Sequence, residues 1–226
     1  KGLVVSTDSG LNYCLANDVV PDLIVTVDPN ETRIVRWFGD PSLNEKKMNE
    51  DDYFRRQELD DDFYNEYEAN KKLINLVNKS CRNMKIALST SSSASVVERV
   101  MEVGMDIFWW NPMLDDPSQE NSYTNKIYKE NSLPCINSGG NVGAAIWMIL
   151  DAIIGVKNIA LTGFDFSYYN DSDYYHTQSY HHAVDLVGKK NLHKFFIPVY
   201  NELLKEWYYT DPQYMYYKLA FLEMLK

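Results

Sequence analysis

No apolar run in this chain is long enough to cross a bilayer. The longest, around Ala144 to Gly155, is interrupted by Asp151 and falls well short of the ~20 residues that a spanning helix needs. The chain opens on KGLVVS, without the charged start, apolar centre and small-residue cleavage site of a signal peptide, so its start reads as internal to a longer protein. Cysteine is scarce. Cys14, Cys81 and Cys135 are odd in number and have neither metal-ligand nor redox-pair spacing, which makes reduced buried thiols and a cytoplasmic setting the expectation. Positive charge is short too: 22 Lys and Arg stand against 32 Asp and Glu, a formal net charge of −10. Duplex DNA and anionic membranes are held by clustered basic residues, so no nucleic-acid partner is expected, while a small phosphorylated ligand stays open. The chain also lacks the dinucleotide G-x-G-x-x-G, the P-loop G-x-x-x-x-G-K-[ST] and the zinc motif H-E-x-x-H.

What is present is alternation. The 226 residues, 45% of them hydrophobic, suffice for one sizeable core. GLVVS is followed by the helical pattern SGLNYCLANDV and then DLIVTVD; KIALS, ASVVERVMEVG and MDIFWW repeat the theme; LPCIN leads to a helix over about Gly140 to Ile154 and a further strand NIALTG. Strands alternating with helices predict a doubly wound, Rossmann-like α/β domain over 1–226, a parallel sheet with helices on both faces. Two segments fall outside the pattern. Residues 49–82 form a helical insertion whose acidic part, Asn49 to Glu68, reads as a solvated helix or lid. Residues 192–226 form a C-terminal extension of two helices broken at Asp211-Pro212, whose Tyr and Trp rings cover an apolar face or make a partner interface, a homo-oligomer among the possibilities.

In an open parallel sheet, ligands bind beyond the carboxyl ends of the strands. The residues there are small or polar: Ser6 to Ser9, Asp28 to Asn30, Ser89 to Ser95, Asn111, Asn137 to Asn141 and Gly163 to Tyr168. Asn137, Ser138, Gly139, Gly140 and Asn141 lie between a strand and a helix. They are either an anion-binding turn of backbone amides, helped by the Asn and Ser side chains, or a plain helix start. Asp165 can accept bonds from ribose hydroxyls, hold a metal or cap its own loop. Beyond it come Tyr168, Tyr169, Tyr174 and Tyr175, and all four histidines fall between His176 and His193. Such groups suit proton transfer and stabilisation of a departing phosphate. The spacing of His176, His181, His182 and His193 matches no named metal motif, so no metal is assigned.

SGGNVGAAIWMILDAIIGVKNIALTGFDFSYYNDSDYY resembles the turn-helix-strand segment of the MptE-like family, which includes the motility accessory factor (Maf) glycosyltransferases, and of the related bacterial sialyltransferases. STDSGLNYCLANDVVPDLIVTVDPN resembles that family's strand, short helix, Pro-Asp turn and strand ending in Asp-Pro. Together they cover about a third of the chain. The resemblance implies a nucleotide-dependent transferase, in first place a glycosyltransferase moving a nonulosonic acid from a CMP-activated donor to a hydroxyl acceptor on a glycan or protein, with no cofactor required. On that reading Ser9, Asp28, Asn30, Asn137 to Asn141 and Asp165 hold the nucleotide. Tyr168 and Tyr174 support the leaving phosphate, and His193 is the general base, with His181 or His182 as substitutes. The pterin branch implies instead a 6-hydroxymethyl-dihydropterin pyrophosphokinase using ATP and Mg²⁺ bridged by Asp28 and Asp165. A non-catalytic binding module is the third reading. The family's upstream Gly-x-Gly-Pro-Ser-Leu turn is not found here, so the expectation is either a piece of a longer protein or a degenerate relative.

Overall fold

The computed structural model describes residues 2–27, 31, 34–50, 66–169, 174, 177 and 179–226, except for the side chains at 35, 36, 48–50, 66 and 181. Two units emerge, Lys1–Ile159 and Ala160–Lys226. The first has the expected α/β fold class, over 1–159 of the 226 residues for which a single such domain was expected. Its strands are β1 (Val5–Thr7), β2 (Leu23–Thr26), β3 (Lys85–Ser89), β4 (Asp106–Pro112) and β5 (Cys135–Ile136). All pair in parallel, in the order β1-β2-β3-β4-β5. The helices are α1 (Asp8–Ala16), α2 (Ile34–Trp37), α3 (Glu45–Glu50), α4 (Glu66–Ser80), α5 (Ala94–Val103), α6 (Tyr123–Asn131) and α7 (Val142–Met148), the last running into a π-helical turn, Ile149–Ile154.

The two faces of the sheet separate by the period of two along each strand. Ile24, Ile86 and Leu88 point to one side, where Leu11 and Leu15 of α1, Ile34 and Trp37 of α2, Leu73 and Val77 of α4, and Val96 and Val100 of α5 close a core. Leu23, Val25, Ala87 and Trp110 point to the other, against Ala145 and Ile146 of α7. Sequential parallel neighbours joined by right-handed crossovers put successive helices on one face. The chain reaches the other face only after β5, when α7 packs back against β1 and β2. Local chemistry sets the ends: the Thr7 hydroxyl accepts from the Gly10 amide at the start of α1, and Gly104 ends α5 in the left-handed conformation, φ 78°.

Of the expected insertion 49–82, residues 51–65 lie outside the described residues. Its later part is no appendage, because Leu73 and Val77 of α4 belong to the core.

The second unit is a three-stranded antiparallel sheet, order β6-β8-β7, formed by β6 (Tyr168–Tyr169), β7 (Ile197–Asn201) and β8 (Glu206–Thr210). It also holds α8 (Tyr180–Val187), a 3-10 segment Lys189–Lys194 and α9 (Pro212–Met224). Its core joins Ala183, Phe195, Phe196 and Tyr209 with Tyr168 and Tyr174.

Two expectations are corrected. The first C-terminal helix is the β7–β8 hairpin. Its arms are rich in β-branched and aromatic residues, the Asn201 side chain accepts from the amides of Leu203 and Leu204, and Lys205 takes φ 58° to close the turn. Pro198 is tolerated because β7 is an edge strand. The second correction is NIALTG, which forms no strand: a run with β propensity needs a neighbouring edge to pair with, and the boundary between the units falls inside this one. No helix among the described residues is long and apolar enough to cross a membrane.

Candidate functional site

Parallel pairing gathers the carboxyl ends of β1 to β5 on one edge of the first unit, and of the expected nucleotide residues Ser9 and Asn137 to Asn141 lie on it. Ser9 follows β1; its hydroxyl lies 3.1 Å from that of Thr7 and its amide donates to Asp8 Oδ1 at 2.6 Å. Beyond β5, Asn137 to Asn141 form a turn with two successive residues in the left-handed region that favours glycine, Gly139 at φ 54° and Gly140 at φ 83°. The turn uses several of its own donors. Asn137 Oδ1 accepts from the Gly139 amide at 3.0 Å, Ser138 O accepts from the Asn141 amide at 2.9 Å, and Asn141 Oδ1 caps α7 through the Ala144 amide at 2.9 Å. These bonds leave the turn fewer amides for an anion than its glycines promise. Asp28 and Asn30 lie outside the described residues.

The same edge holds an unexpected set of groups. Among the described residues, Thr26 Oγ1, Ser92 Oγ, Trp110 Nε1 and Asn141 Nδ2 are buried and have no hydrogen-bond partner. Thr26 ends β2, Ser92 follows β3, Trp110 lies near the end of β4 and Asn141 precedes α7, so all four sit at the carboxyl edge. Each buried polar atom without a partner costs roughly 1–3 kcal/mol, and natural folds keep few of them. Trp110 Nε1 and Asn141 Nδ2 can only donate, so whatever satisfies them must bring acceptors.

Asp165, Tyr168, Tyr174 and His193 belong to the second unit. Tyr168 and Tyr174 are brought together there in one aromatic cluster. Tyr168 stacks on Tyr209 and Tyr214 at 5.3 and 5.0 Å, and Tyr174 stacks on Phe196 at 4.4 Å and meets Tyr209 edge-on. The Tyr168 hydroxyl donates to Asp211 Oδ2 at 3.1 Å. Burial, with Tyr214 and the Asp211 carboxylate adding to it, pushes that hydroxyl well above the ordinary phenol range. Asp211 is fully buried, accepts from Ser179 Oγ at 2.7 Å and caps α9 through the Tyr214 amide at 2.8 Å. His193 stands exposed on the 3-10 segment, and His182 is exposed on α8 with its ring 6.1 Å from that of Phe195. His176 and the side chain of His181 lie outside the described residues. No cluster of metal-ligating side chains is found among the described residues.

Asp165 is held outward. Phe164 and Phe166 on either side of it pack with Phe221 of α9, at 4.6 and 6.3 Å, and Phe166 takes the left-handed conformation, φ 52°. Its carbonyl accepts from Thr210 Oγ1 at 2.8 Å. Asp165 lines a cavity of about 350 Å³ within the second unit.

No family model, curated protein or solved structure matches this chain. The site therefore stands on its own residues. Sequence reasoning missed Thr26, Trp110 and Asp211. Asp211 was findable as a helix cap ahead of Pro212, whereas the orphaned indole depends on which face of β4 is buried.

Proposed function

We propose that this chain is a nucleotide-dependent transferase, with the nucleotide at the carboxyl edge of the first unit. The observation that carries this reading is the set of four buried polar atoms without partners on that edge, two of them obligate donors. A nucleotide is rich in acceptors: base carbonyls, ribose oxygens and phosphate oxygens. Trp110 Nε1 and Asn141 Nδ2 donate to it, the hydroxyls of Thr26 and Ser92 donate or accept, and Ser9 and Asn137 to Gly140 border it. The finer reading, glycosyl transfer from a CMP-activated nonulosonic acid, is supported by the resemblance to the Maf and sialyltransferase segments.

On that reading the acceptor hydroxyl attacks the anomeric carbon, the bond to the phosphate of CMP breaks, and the configuration inverts. The resemblance assigns the general base to His193, which is exposed and without a competing partner among the described residues, and support of the departing phosphate to Tyr174 and Tyr168; the Tyr168 hydroxyl takes that role only by leaving Asp211.

Calorimetric titration with CMP, CDP, ATP and GTP, each with and without Mg²⁺, tests it. Metal-independent cytidine binding is the expected result. Mg²⁺-dependent preference for ATP would turn the assignment to pyrophosphoryl transfer, and failure to bind any nucleotide would remove both in favour of a binding module. His193→Ala is expected to abolish turnover while leaving nucleotide affinity unchanged.

A further inference from the structure

The cavity in the second unit is lined by residues of that unit alone and has a chemistry of its own. Its walls are the turn carrying Asp165, the β7–β8 hairpin with Tyr200 and Tyr208, the hairpin loop with Leu203, and the face of α9 bearing Met215 and Lys218. Asp165 and Lys218 line one space, yet neither side chain forms a hydrogen bond or ion pair with a described residue, whereas Glu202, the other charged residue of the lining, is paired with Lys205 at 3.4 Å. Opposite charges that line a cavity without pairing leave two places for a ligand, one for each sign. Both positions are also held in place. Asp165 lies between two phenylalanines packed on Phe221, next to a left-handed residue that is not glycine, a conformation costing on the order of 1–3 kcal/mol and found where surroundings impose it. Lys218 is three residues before Phe221 on α9 and three after Met215, so the same stripe of the helix that grips the Asp165 turn also carries the ammonium.

We infer that this cavity binds a small zwitterion, an α-amino acid with an apolar side chain. Its ammonium meets Asp165, its carboxylate meets Lys218, and its side chain lies against Tyr200, Leu203 and Met215. A volume of about 350 Å³ fits a molecule of that size and sits at the lower end of small-molecule sites. The inference does not rest on the nucleotide reading.

L-phenylalanine is the probe, titrated into the whole chain by calorimetry, with phenethylamine, which lacks the carboxylate, and 3-phenylpropionate, which lacks the ammonium. L-phenylalanine is expected to bind about tenfold or more tightly than either half-ligand, since a charge-assisted bond is worth that much. Asp165→Asn removes the advantage over 3-phenylpropionate, and Lys218→Met removes the advantage over phenethylamine. Both residues are exposed, so both variants fold. Equal affinity for all three probes, absence of L-phenylalanine binding at millimolar concentration, or L-phenylalanine affinity unmoved by either substitution would overturn the assignment.

Discussion

Asp211 is the residue on which the second unit is expected to depend most. It is fully buried, and one carboxylate serves three donors: Ser179 Oγ at 2.7 Å, the Tyr168 hydroxyl at 3.1 Å and the Tyr214 amide at 2.8 Å. Asp211→Ala removes a helix N-cap, about 1 kcal/mol, and two bonds to a charged acceptor, about 1.5 kcal/mol each at the low end, and leaves two hydroxyls short of an acceptor. Because the three bonds share one group, their losses do not add fully, and a total of roughly 3–5 kcal/mol is expected. Asp211→Asn keeps the cap through its carbonyl oxygen and is expected to cost about 1–2 kcal/mol. Tyr168→Phe keeps the ring stack on Tyr209 and Tyr214 and loses the hydroxyl's bond to Asp211, at about 1 kcal/mol or more. Hydrogen exchange is the assay, because it reads each unit separately: protection should fall across 160–226 in Asp211→Ala and hold in 1–159. A loss below ~1 kcal/mol in Asp211→Ala, or an equal loss in both units, would refute the reasoning, since a buried carboxylate with three donors cannot be removed so cheaply.

At the carboxyl edge, Asn141→Asp keeps the cap oxygen of α7 but deletes the buried N–H without a partner; stability should hold or rise while nucleotide affinity falls, whereas Asn141→Ala should lose about 1 kcal/mol by thermal melting. Asp40 is buried, which alone would raise its pKa, yet bonds from Lys47 and Ser42 outweigh burial and hold it below the ordinary value. Its stabilisation is therefore complete above the unfolded pKa of about 4 and disappears as pH falls through the lower folded value, so Asp40→Asn should flatten the acid limb of a denaturation-versus-pH curve below about pH 4. Burial pushes the Cys81 thiol up to about 11, so at pH 8 a thiol reagent should label Cys81 only on unfolding; rapid labelling of Cys81 itself in the native chain, read by peptide mapping, would place it outside the core.

How far the sequence speaks depends on where the deciding partner lies. Leu23 to Val25 and Ile86 to Leu88 are apolar without alternation because both faces of their strands are covered, and that pattern is local, so β2, β3 and the helix that follows β3 were legible. The edge position of Asn137 to Asn141 followed from the parallel order alone. IPVYNELLKEWYYT misleads because ELLK is made of good helix formers, and four such residues in a hairpin loop outweigh the alternation on either side when no cross-strand partner is in view. The Tyr168 hydroxyl looks free in sequence because its acceptor is 43 residues away. The exposure of His193 is likewise set by tertiary packing and not by its neighbours in the chain.

The strand order bears directly on where a ligand can sit. A doubly wound sheet usually opens a crevice where the order reverses and the helices change face. Here the five described strands run β1 to β5 without reversal, so no gap of that kind divides their carboxyl ends. The change of face is made instead by α7, which leaves β5 and packs against β1 and β2. That traverse makes Asn141 the residue entering the helix, and α7 then packs Ala145 and Ile146 into the core that holds the Trp110 ring, on the face where the crossing occurs. A site built this way would be defined by donors left over at the crossing rather than by a cleft between strands. Two obligate donors without acceptors on that face are what such a site requires, and substituting one of them is the direct way to ask whether a nucleotide is what they await.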